Sequence, residues 1–285
     1  MKIIFEDKDL LALNKPPNIV VNRAVSLNEI TVQDWFEKYF EVFSQLENEE
    51  DWGTLVPPGF DSQYGSAEDI FKSRRGMVHR LDRETSGVLL FAKNPGSLVN
   101  LLDQFKSRMV EKEYLSLVHG KLRFKAGTIN APIGRASKDR KKFSLKIEGR
   151  EAKTDYELKE VYPGINFIKE LNPPALNLTE LLGVEAVKQL RKNKKTYEQG
   201  FSLVKCMPKT GRTHQVRVHF KHFGNSLVGD KKYGGKKRAK LDGLWCSRHF
   251  LHASKLTITH PRTKKKQIFE AELPGDLKQV LSIVR

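Results

Sequence analysis

Cysteine is scarce in this chain of 285 residues, which contains only Cys206 and Cys246. Two cysteines are too few for a disulfide framework, and they lack the spacing of a zinc site. We interpret both as reduced thiols that fill the core. Long apolar runs are also missing, since none reaches the roughly 18 residues that a membrane-spanning helix needs. These absences argue against a disulfide-stapled secreted domain, a zinc protein and a membrane protein.

The first residues lack the features of a secretory signal. Glu6, Asp7 and Asp9 interrupt the segment before an apolar core can form, which predicts a protein that stays in the cytoplasm. Acidic residues are in short supply along the whole chain. There are 51 Lys and Arg against 34 Asp and Glu, a net charge of +17. This excess favours a polyanionic partner, and nucleic acid is the first expectation.

An aspartate lies at the centre of the segment VHRLDRETSG, which runs from Val78 to Gly87. The apolar run that follows Asp82 predicts a strand over residues 88–94. Polar residues presented next to a rigid strand are good candidates for function. For an isolated aspartate between two solvated arginines, a turn-capping role is the preferred interpretation, so the segment needs support from other motifs.

A second informative motif, TGRTHQVRVHFKHFG, covers residues 210–224. It predicts a helix that is capped by Thr213 and closed by Gly224. The predicted buried positions of this helix are Val216, Phe220 and Phe223. Arg217 then projects from another face, where a structural ion pair or a phosphate contact is the alternative to a catalytic role. The three histidines of the motif do not share one helix face, which argues against a metal site.

Together the two motifs resemble the signatures of the RluA-type pseudouridine synthases. Residues 79–87 match His-Arg-Leu-Asp-Arg-x-Thr-Ser-Gly, and residues 211–219 match Gly-Arg-Thr-His-Gln-(Ile/Val/Leu)-Arg-Val-His. The resemblance implies that Asp82 is a nucleophile. It also implies that Arg217 pairs with Asp82, holding the carboxylate in place and keeping it ionised.

The same resemblance extends to three further stretches. Tyr114 follows a Lys-x-Tyr pattern, which implies that its ring stacks on the target uracil and its hydroxyl assists proton transfer; a half-buried strand tyrosine is the alternative. Residues 228–235 read VGDKKYGG, and Gly235 stands where a phosphate-binding loop would need lysine. Leu251 opens a segment that lines the pocket in the family.

Pseudouridine formation requires the uridine to leave its stack, because a carboxylate cannot reach a stacked nucleoside. The resemblance implies that Arg80 fills the vacated space. The other residues predicted to contact RNA are His79, Arg83, Arg212, His214, Lys231 and Lys232, and Thr85 and Leu251 are predicted to line the pocket. The basic clusters predicted to contact phosphates are residues 135–146, 231–240 and 262–266. No metal and no cofactor is expected.

Strands outnumber helices along the chain, which predicts an α+β fold rather than a doubly wound nucleotide-binding fold. The predicted strands are residues 2–6, 10–14, 88–94, 113–118, 154–161, 201–207, 251–258 and 267–273. The predicted helices are residues 95–112, the segment from Thr213 to Gly224 and a terminal helix from residue 276. The helix over 95–112 is predicted to bury one apolar stripe in the core: Leu98, Leu101, Leu102, Phe105 and Met109. The resemblance implies a mixed, largely antiparallel sheet in two halves, with flanking helices and a central catalytic cleft.

We predict that residues 1–285 form a single catalytic domain, monomeric and without an N-terminal S4 module. Residues 38–75 and 163–199 have the character of insertions. The middle of the second insertion, residues 176–190, is consistent with one short amphipathic helix on a solvated appendage.

The sequence therefore predicts an RNA pseudouridine synthase that isomerises specific uridines in ribosomal or transfer RNA. Attack on ribose carbon 1′, attack on uracil carbon 6 and removal of a ribose proton are all compatible with one carboxylate. The main alternative is a non-catalytic RNA-binding or ribosome-assembly protein on the same fold. A DNA-acting or nucleotide-binding enzyme has only the positive charge in its favour.

Overall fold

The computed structural model describes residues 1–23, 29–41, 52–137, 139–163 and 178–284. The chain divides into two compact units, and each is a mixture of helices and strands. The first unit comprises Met1–Lys112 and Ala253–Glu272, and the second comprises Glu113–His252 and Leu273–Arg285. The action of both units as a single catalytic domain stays a prediction. Among the described helices, none has the length and apolar character needed to cross a membrane.

The described strands are β1 (Lys2–Glu6), β2 (Leu10–Lys15), β3 (Ser86–Ala92), β4 (Glu111–His119), β5 (Ala126–Asn130), β6 (Ile133–Arg135), β7 (Phe143–Leu145), β8 (Lys153–Tyr162), β9 (Phe201–Pro208), β10 (Leu251–Thr259) and β11 (Lys266–Glu270). The described α-helices are α1 (Val32–Glu41), α2 (Ala67–Arg74), α3 (Pro95–Lys106), α4 (Leu178–Leu182), α5 (Val184–Lys192), α6 (Gln215–His222), α7 (Lys236–Asp242) and α8 (Gly275–Val284). All eight predicted strands are confirmed, with ends that shift by a few residues.

In the first unit the strand order is β1-β2-β3-β10-β11. The pairs β1/β2, β2/β3 and β10/β11 are antiparallel. Every residue of β3 is buried, which explains why its sequence is a continuous apolar run rather than an alternating one. Leu98 and Leu101 of α3 join β3 in the core of this unit. The strand after Asp82 is therefore a rigid central element.

The helix predicted over residues 95–112 is confirmed from Pro95 but ends at Lys106. Arg108 has a left-handed backbone with φ of 58°, which takes the chain out of the helix before β4 begins. Met109 is 59% exposed as a result. Its prediction as a core residue is wrong, because the apolar spacing of a helix was extended beyond the point where the helix stops.

In the second unit the strand order is β4-β9-β8-β5, and each neighbouring pair is antiparallel. β6 and β7 form a separate hairpin. Strands β5 to β7 were not predicted, because they are only three to five residues long. Cys206 and Cys246 are both buried, as expected for core residues, and burial raises the pKa of each thiol.

The described part of the first insertion includes α2, a helix that the sequence analysis missed. The Ser66 side chain accepts a hydrogen bond from the Asp69 amide, and the Asp69 carboxylate accepts one from the Ser66 amide, so the two form a capping box at the start of α2. The Ser-x-x-Asp spacing is a sequence signal that was available for this helix. Residues 42–51 of the insertion lie outside the described residues.

The second insertion is packed against the core, not solvated, so the prediction of a solvated appendage is wrong for the part that the structure describes. Leu190 and Tyr197 are buried in the main hydrophobic cluster of the second unit. The single predicted helix is divided into α4 and α5 at Gly183. The φ of Gly183 is 84°, which is incompatible with a right-handed helix. Residues 164–177 lie outside the described residues.

Candidate functional site

Asp82 lies in a turn directly before β3. The Thr85 amide donates a hydrogen bond to the Asp82 carbonyl at 3.0 Å, which closes the turn. Leu81 and Thr85 are buried at 6% and 1% exposure, whereas Asp82 is half-buried. The turn is thus anchored on both sides of the half-buried Asp82. Burial of Thr85 agrees with a supporting position beside Asp82, and its contact with a ligand stays a prediction.

Lys15 holds this turn in place, a role that the sequence analysis did not predict. Its side chain is fully buried, and its ammonium donates to three carbonyls: Pro16 at 2.8 Å, Ile19 at 3.0 Å and Arg83 at 3.0 Å. A buried ammonium is costly unless its donors are satisfied. The three carbonyls meet that need and connect the loop after β2 to the residue next to Asp82. Asn18 in this loop has a left-handed backbone with φ of 68°, a conformation that Asn tolerates better than most residues.

His79 fixes the strand that follows Asp82. The Leu90 amide donates to His79 Nε2 at 3.1 Å, and the imidazole stacks on Phe105 with ring centroids 5.1 Å apart. Burial, and then the positive charge of Lys112, lower the pKa of His79 to about 3. His79 is therefore neutral near pH 7, with Nε2 as an acceptor. Direct contact between His79 and RNA stays a prediction, and a neutral ring would supply no charge to it.

Gly87 allows two strands to approach each other immediately after the turn. Its φ is 116°, and a Cβ built on it would lie 2.1 Å from the Ala253 carbonyl oxygen of β10. The neighbour is backbone and cannot rotate away. Glycine is therefore required here both for its conformation and for the close contact.

Replacing Gly87 by Ala is expected to lower the free energy of unfolding by more than about 2 kcal/mol, because a positive φ and a backbone clash are combined. Urea denaturation of both proteins measures this change. Gly59→Ala is the matched control, since a Cβ at Gly59 would meet nothing within 4 Å. Equal stability of Gly87→Ala and Gly59→Ala would contradict the geometry described for Gly87.

Two arginines flank Asp82 in sequence and have different surroundings. Arg83 Nη2 donates to Glu29 at 2.8 Å, and Arg83 Nε donates to the Asn18 carbonyl at 3.3 Å. Arg80 is exposed, and within the described ranges its side chain makes no hydrogen bond or ion pair. Arg80 is therefore the more available of the two for a ligand.

In the second unit, Arg217 forms a buried ion pair with Asp230. Arg217 Nε and Nη2 donate to the two carboxylate oxygens at 2.8 and 3.0 Å, and the exposed fractions of the residues are 5% and 0%. Burial opposes the ionisation of Asp230, but the hydrogen bonds and charge of Arg217 outweigh it, so the pKa of Asp230 is below its ordinary value. A guanidinium has five N–H donors, and this pair uses two of them.

Tyr233 connects three elements around this ion pair. Its ring lies under the Arg217 guanidinium at 5.2 Å, and its hydroxyl accepts from the Phe143 amide at 3.1 Å. The same hydroxyl is 2.8 Å from His214 Nδ1. Because it accepts from an amide, it can donate its own proton to His214. Arg217, Tyr233 and His214 are thus brought together, with the hairpin β6/β7 attached to them through Phe143.

The start of α6 differs from the prediction. His214, with φ of 56°, occupies the N-cap position, and no side chain caps the helix, so the assignment of this role to Thr213 is wrong. The Gln215 side chain instead accepts from the Arg212 amide at 3.0 Å and from the Thr210 hydroxyl at 2.7 Å. The helix ends near Phe223, which is 45% exposed. The prediction that Phe223 is buried in the core is therefore wrong.

The remaining predicted residues of the second unit fall into two groups, one in a hydrophobic cluster and one at or near the surface. Tyr114 is half-buried on β4 opposite Cys206, and it packs on the same hydrophobic cluster as the buried Leu251. Arg212 Nε donates to the Glu151 carbonyl at 2.9 Å. The Lys232 amide donates to Asp230 at 2.9 Å. Lys231, Lys232 and Arg212 are exposed or half-buried, so their predicted contact with RNA is sterically open.

Three potential metal ligands, Asp7, Asp9 and His260, lie within 4.8 Å of one another in the first unit. His260 Nε2 is 2.7 Å from the Asp7 carboxylate. Arg262 donates two hydrogen bonds to Asp9 at 2.6 and 2.8 Å, and Asn94 donates one at 2.9 Å. Burial opposes ionisation of Asp9, yet these donors lower its pKa. The group is best explained as an ion-pair network joining the β1/β2 and β10/β11 turns.

Comparison with known proteins agrees with the sequence motifs. The family described as RNA pseudouridylate synthase matches residues 9–222. A Bacillus subtilis protein named Uncharacterized RNA pseudouridine synthase YlyB is 31% identical over 285 residues, which cover 100% of this chain and 73% of the relative. The Ribosomal large subunit pseudouridine synthase D of Zymomonas mobilis is 30% identical over 290 residues, which cover 100% of this chain and 73% of that protein.

Solved structures show the same fold. Human RNA Pseudouridylate Synthase Domain Containing 1 superposes with a TM-score of 0.60 at 24% identity, covering 96% of this chain and 83% of the other. Human RNA Pseudouridylate Synthase Domain Containing 4 gives a TM-score of 0.62 at 18% identity, covering 99% and 92%. The α+β fold with a largely antiparallel sheet, predicted from sequence, is confirmed.

Proposed function

Because this chain belongs to the RNA pseudouridylate synthase family and is an isomerase, we propose that it converts specific uridines of ribosomal or transfer RNA into pseudouridine, with Asp82 as the nucleophile. The observation that carries this proposal is the position of Asp82. It combines a complete family signature with a half-buried turn that Lys15 and His79 hold in place. The name of the Zymomonas mobilis relative makes large-subunit ribosomal RNA the first substrate to test.

The reaction rearranges the nucleoside without adding or removing atoms. The bond between ribose carbon 1′ and uracil nitrogen 1 breaks, carbon 1′ joins uracil carbon 5, and the proton on carbon 5 is lost while nitrogen 1 gains one. A single ionised carboxylate serves attack on carbon 1′, attack on carbon 6 or removal of a ribose proton. In each route Asp82 acts in its charged form. The ring of Tyr114 is proposed to stack on the uracil and its hydroxyl to assist the proton transfer.

Arg217 is proposed to pair with Asp82 and keep it ionised, on the basis of the signature that contains it. The buried contact with Asp230 supports a fixed guanidinium, since two of its nitrogens are held at 2.8 and 3.0 Å. A guanidinium fixed in this way would lose little side-chain entropy when it binds a second carboxylate. Asp230 is thus a positioning residue for Arg217.

Extrusion of the uridine from its stack is the second part of the proposal, because a stacked base is not accessible to a carboxylate. Arg80 is the residue proposed to fill the vacated space. Its side chain is exposed, adjacent in sequence to the Asp82 turn, and without a hydrogen bond or ion pair in the part of the chain that the structure describes. Filling the space would therefore cost Arg80 no contact described within the protein.

Replacing Arg80 by Ala is expected to reduce the isomerisation rate by about 10- to 100-fold, because the flipped state loses a few kcal/mol of support. The free energy of unfolding should change by less than about 0.5 kcal/mol. The isomerisation rate measures the first effect, and the midpoint of urea denaturation measures the second. Arg75→Ala is the control, since Arg75 is not among the residues predicted to contact RNA and its exposed ion pair with Glu37 contributes little. Equal rate losses in the two variants would contradict the role given to Arg80.

The proposed function is tested by incubating the purified protein with unmodified ribosomal RNA transcribed from [5-³H]uridine. Isomerisation turns carbon 5 into the glycosidic carbon, so tritium must be released into water. The proposal predicts release at one or a few uridines per molecule. Binding of RNA with no release would favour the non-catalytic alternative, and preferential binding of DNA in competition would favour a DNA-acting protein.

A further inference from the structure

A polar pocket of about 550 Å³ lies in the second unit, between the end of the second insertion and the first turn of α7. Its volume is in the usual range for ligand sites, but such sites are mostly apolar. The described residues that line it include no Leu, Ile, Val, Met, Phe, Tyr or Trp. Neither Tyr114 nor Arg217 belongs to its lining. The pocket is therefore unsuited to stacking a base or holding an apolar ligand.

Positive charge dominates the lining. The lining contains four cationic side chains and one carboxylate. The carboxylate is that of Glu198, and the cations are Lys195, Lys236, Lys237 and Arg238. None of these five forms an ion pair with a residue in the described ranges. By contrast, Lys205 of the same unit pairs with Glu157 at 2.6 Å. The lining therefore has a net positive charge, and no ion pair among the described residues reduces the repulsion between its cations.

The first turn of α7 carries the charge that is unfavourable at the start of a helix. Lys236, Lys237 and Arg238 occupy the first turn of α7, which contains no acidic residue. Acidic side chains are the favourable choice in a first turn, because the helix dipole is positive there. Residues that break a local rule without a compensating contact in the protein are candidates for ligand binding.

A buried hydrogen-bond network builds the walls of the pocket in advance. Asp242, the last residue of α7, accepts from His119 Nε2 at 2.8 Å and from the Tyr197 hydroxyl at 3.0 Å. The Trp245 indole donates to the same hydroxyl at 3.2 Å. Asp242 therefore joins α7 to the end of β4 and to the insertion. Since Lys195 is two residues before Tyr197, this network positions it opposite the cations of α7.

We propose that this pocket binds backbone phosphates of the RNA substrate, and that the second insertion serves to complete it by supplying Lys195. The phosphate chemistry follows from the charge and the polar lining, whereas the choice of RNA as its source rests on the proposed function. Phosphate contacts of this kind position a nucleic acid without reading its sequence. The pocket would add affinity that decreases as salt increases.

The first test is the salt dependence of RNA binding by a double variant, Lys195→Gln with Lys237→Gln. The probe is a fluorescein-labelled, uridine-containing 20-nucleotide RNA. Loss of about two phosphate contacts is expected to reduce the slope of log K against log [KCl] by about 1.4, with at least about a fivefold loss of affinity. The matched control, Lys188→Gln with Lys192→Gln, removes two charges from exposed positions of α5 outside the pocket. Equal slopes for the two double variants would overturn the proposal.

The second test locates the ligand by acetylating lysines and measuring each site by mass spectrometry, with Asp82→Asn protein so that no reaction occurs. RNA is expected to protect Lys195, Lys236 and Lys237, whereas Lys188 and Lys192 stay reactive. A parallel arm replaces RNA with millimolar inorganic phosphate. Protection by RNA supports the proposal, with or without protection by phosphate. Protection by phosphate alone, or by neither, overturns it. If RNA protects these lysines but the wild-type protein releases no tritium, the pocket proposal stands and the proposed function is refuted.

Discussion

Replacing Asp82 by Asn is expected to lower the rate of uridine isomerisation by on the order of 10⁴-fold or more, because an amide of the same shape is not a nucleophile. RNA affinity should be nearly unchanged, since the variant keeps the Asp82 backbone in its turn with Thr85 at 3.0 Å. Tritium release from [5-³H]uridine RNA measures the rate, and fluorescence anisotropy measures the affinity.

Glu84→Gln is the matched control for this prediction. Glu84 is in the same turn and carries the same charge, but it stands at the variable position of the family signature. The control should release tritium at close to the wild-type rate. A loss of activity in both variants would point to the charge of the turn and not to Asp82, and full activity of Asp82→Asn would refute its assignment as nucleophile.

Replacing Asp230 by Ala is expected to lower the free energy of unfolding by about 3–5 kcal/mol, because it removes the buried carboxylate that accepts two hydrogen bonds from the Arg217 guanidinium. Both residues have at most 5% of their surface exposed. Denaturation by urea measures the loss. Asp139→Asn is the control, since Asp139 pairs with Lys142 at 3.6 Å on the surface, and its removal should cost less than about 1 kcal/mol.

The same ion pair predicts a pH dependence of a definite sign. The pKa of Asp230 in the folded chain lies below its ordinary value of 3.8. Its stabilising effect is therefore complete above about pH 4 and is lost as the pH falls through the lower, folded pKa. The difference in unfolding free energy between the wild type and Asp230→Asn should shrink over this acidic window. A difference that is constant with pH would contradict an ionised Asp230.

The sheet was largely predictable from sequence, because its strands are apolar or alternating segments bounded by turn residues. The run after Asp82 became β3, buried on both faces. The periodicity of apolar residues predicted the ends of helices less well. Met109 continues the apolar spacing of α3, but the left-handed backbone at Arg108 ends the helix first. Thr213 has the right chemistry for a cap, yet Gln215 supplies the hydrogen bonds at the start of α6.

The site was predictable where a residue is defined by its own motif and unpredictable where its role depends on distant partners. The role of Lys15 was not predictable, because its acceptor at Arg83 is 68 positions away in sequence. Asp230 was part of a recognised motif, but nothing in that motif names Arg217 as its partner. The second insertion was misread because the burial of Leu190 and Tyr197 depends on residues of the C-terminal helix α8.

The central claim is tested most directly by mapping pseudouridines in ribosomal and transfer RNA from cells that express either the wild-type chain or its Asp82→Asn variant, in a background without the gene. The account predicts that one or a few pseudouridines present with the wild type are absent with the variant, although both proteins accumulate to the same level. Identical pseudouridine maps in the two strains would contradict it.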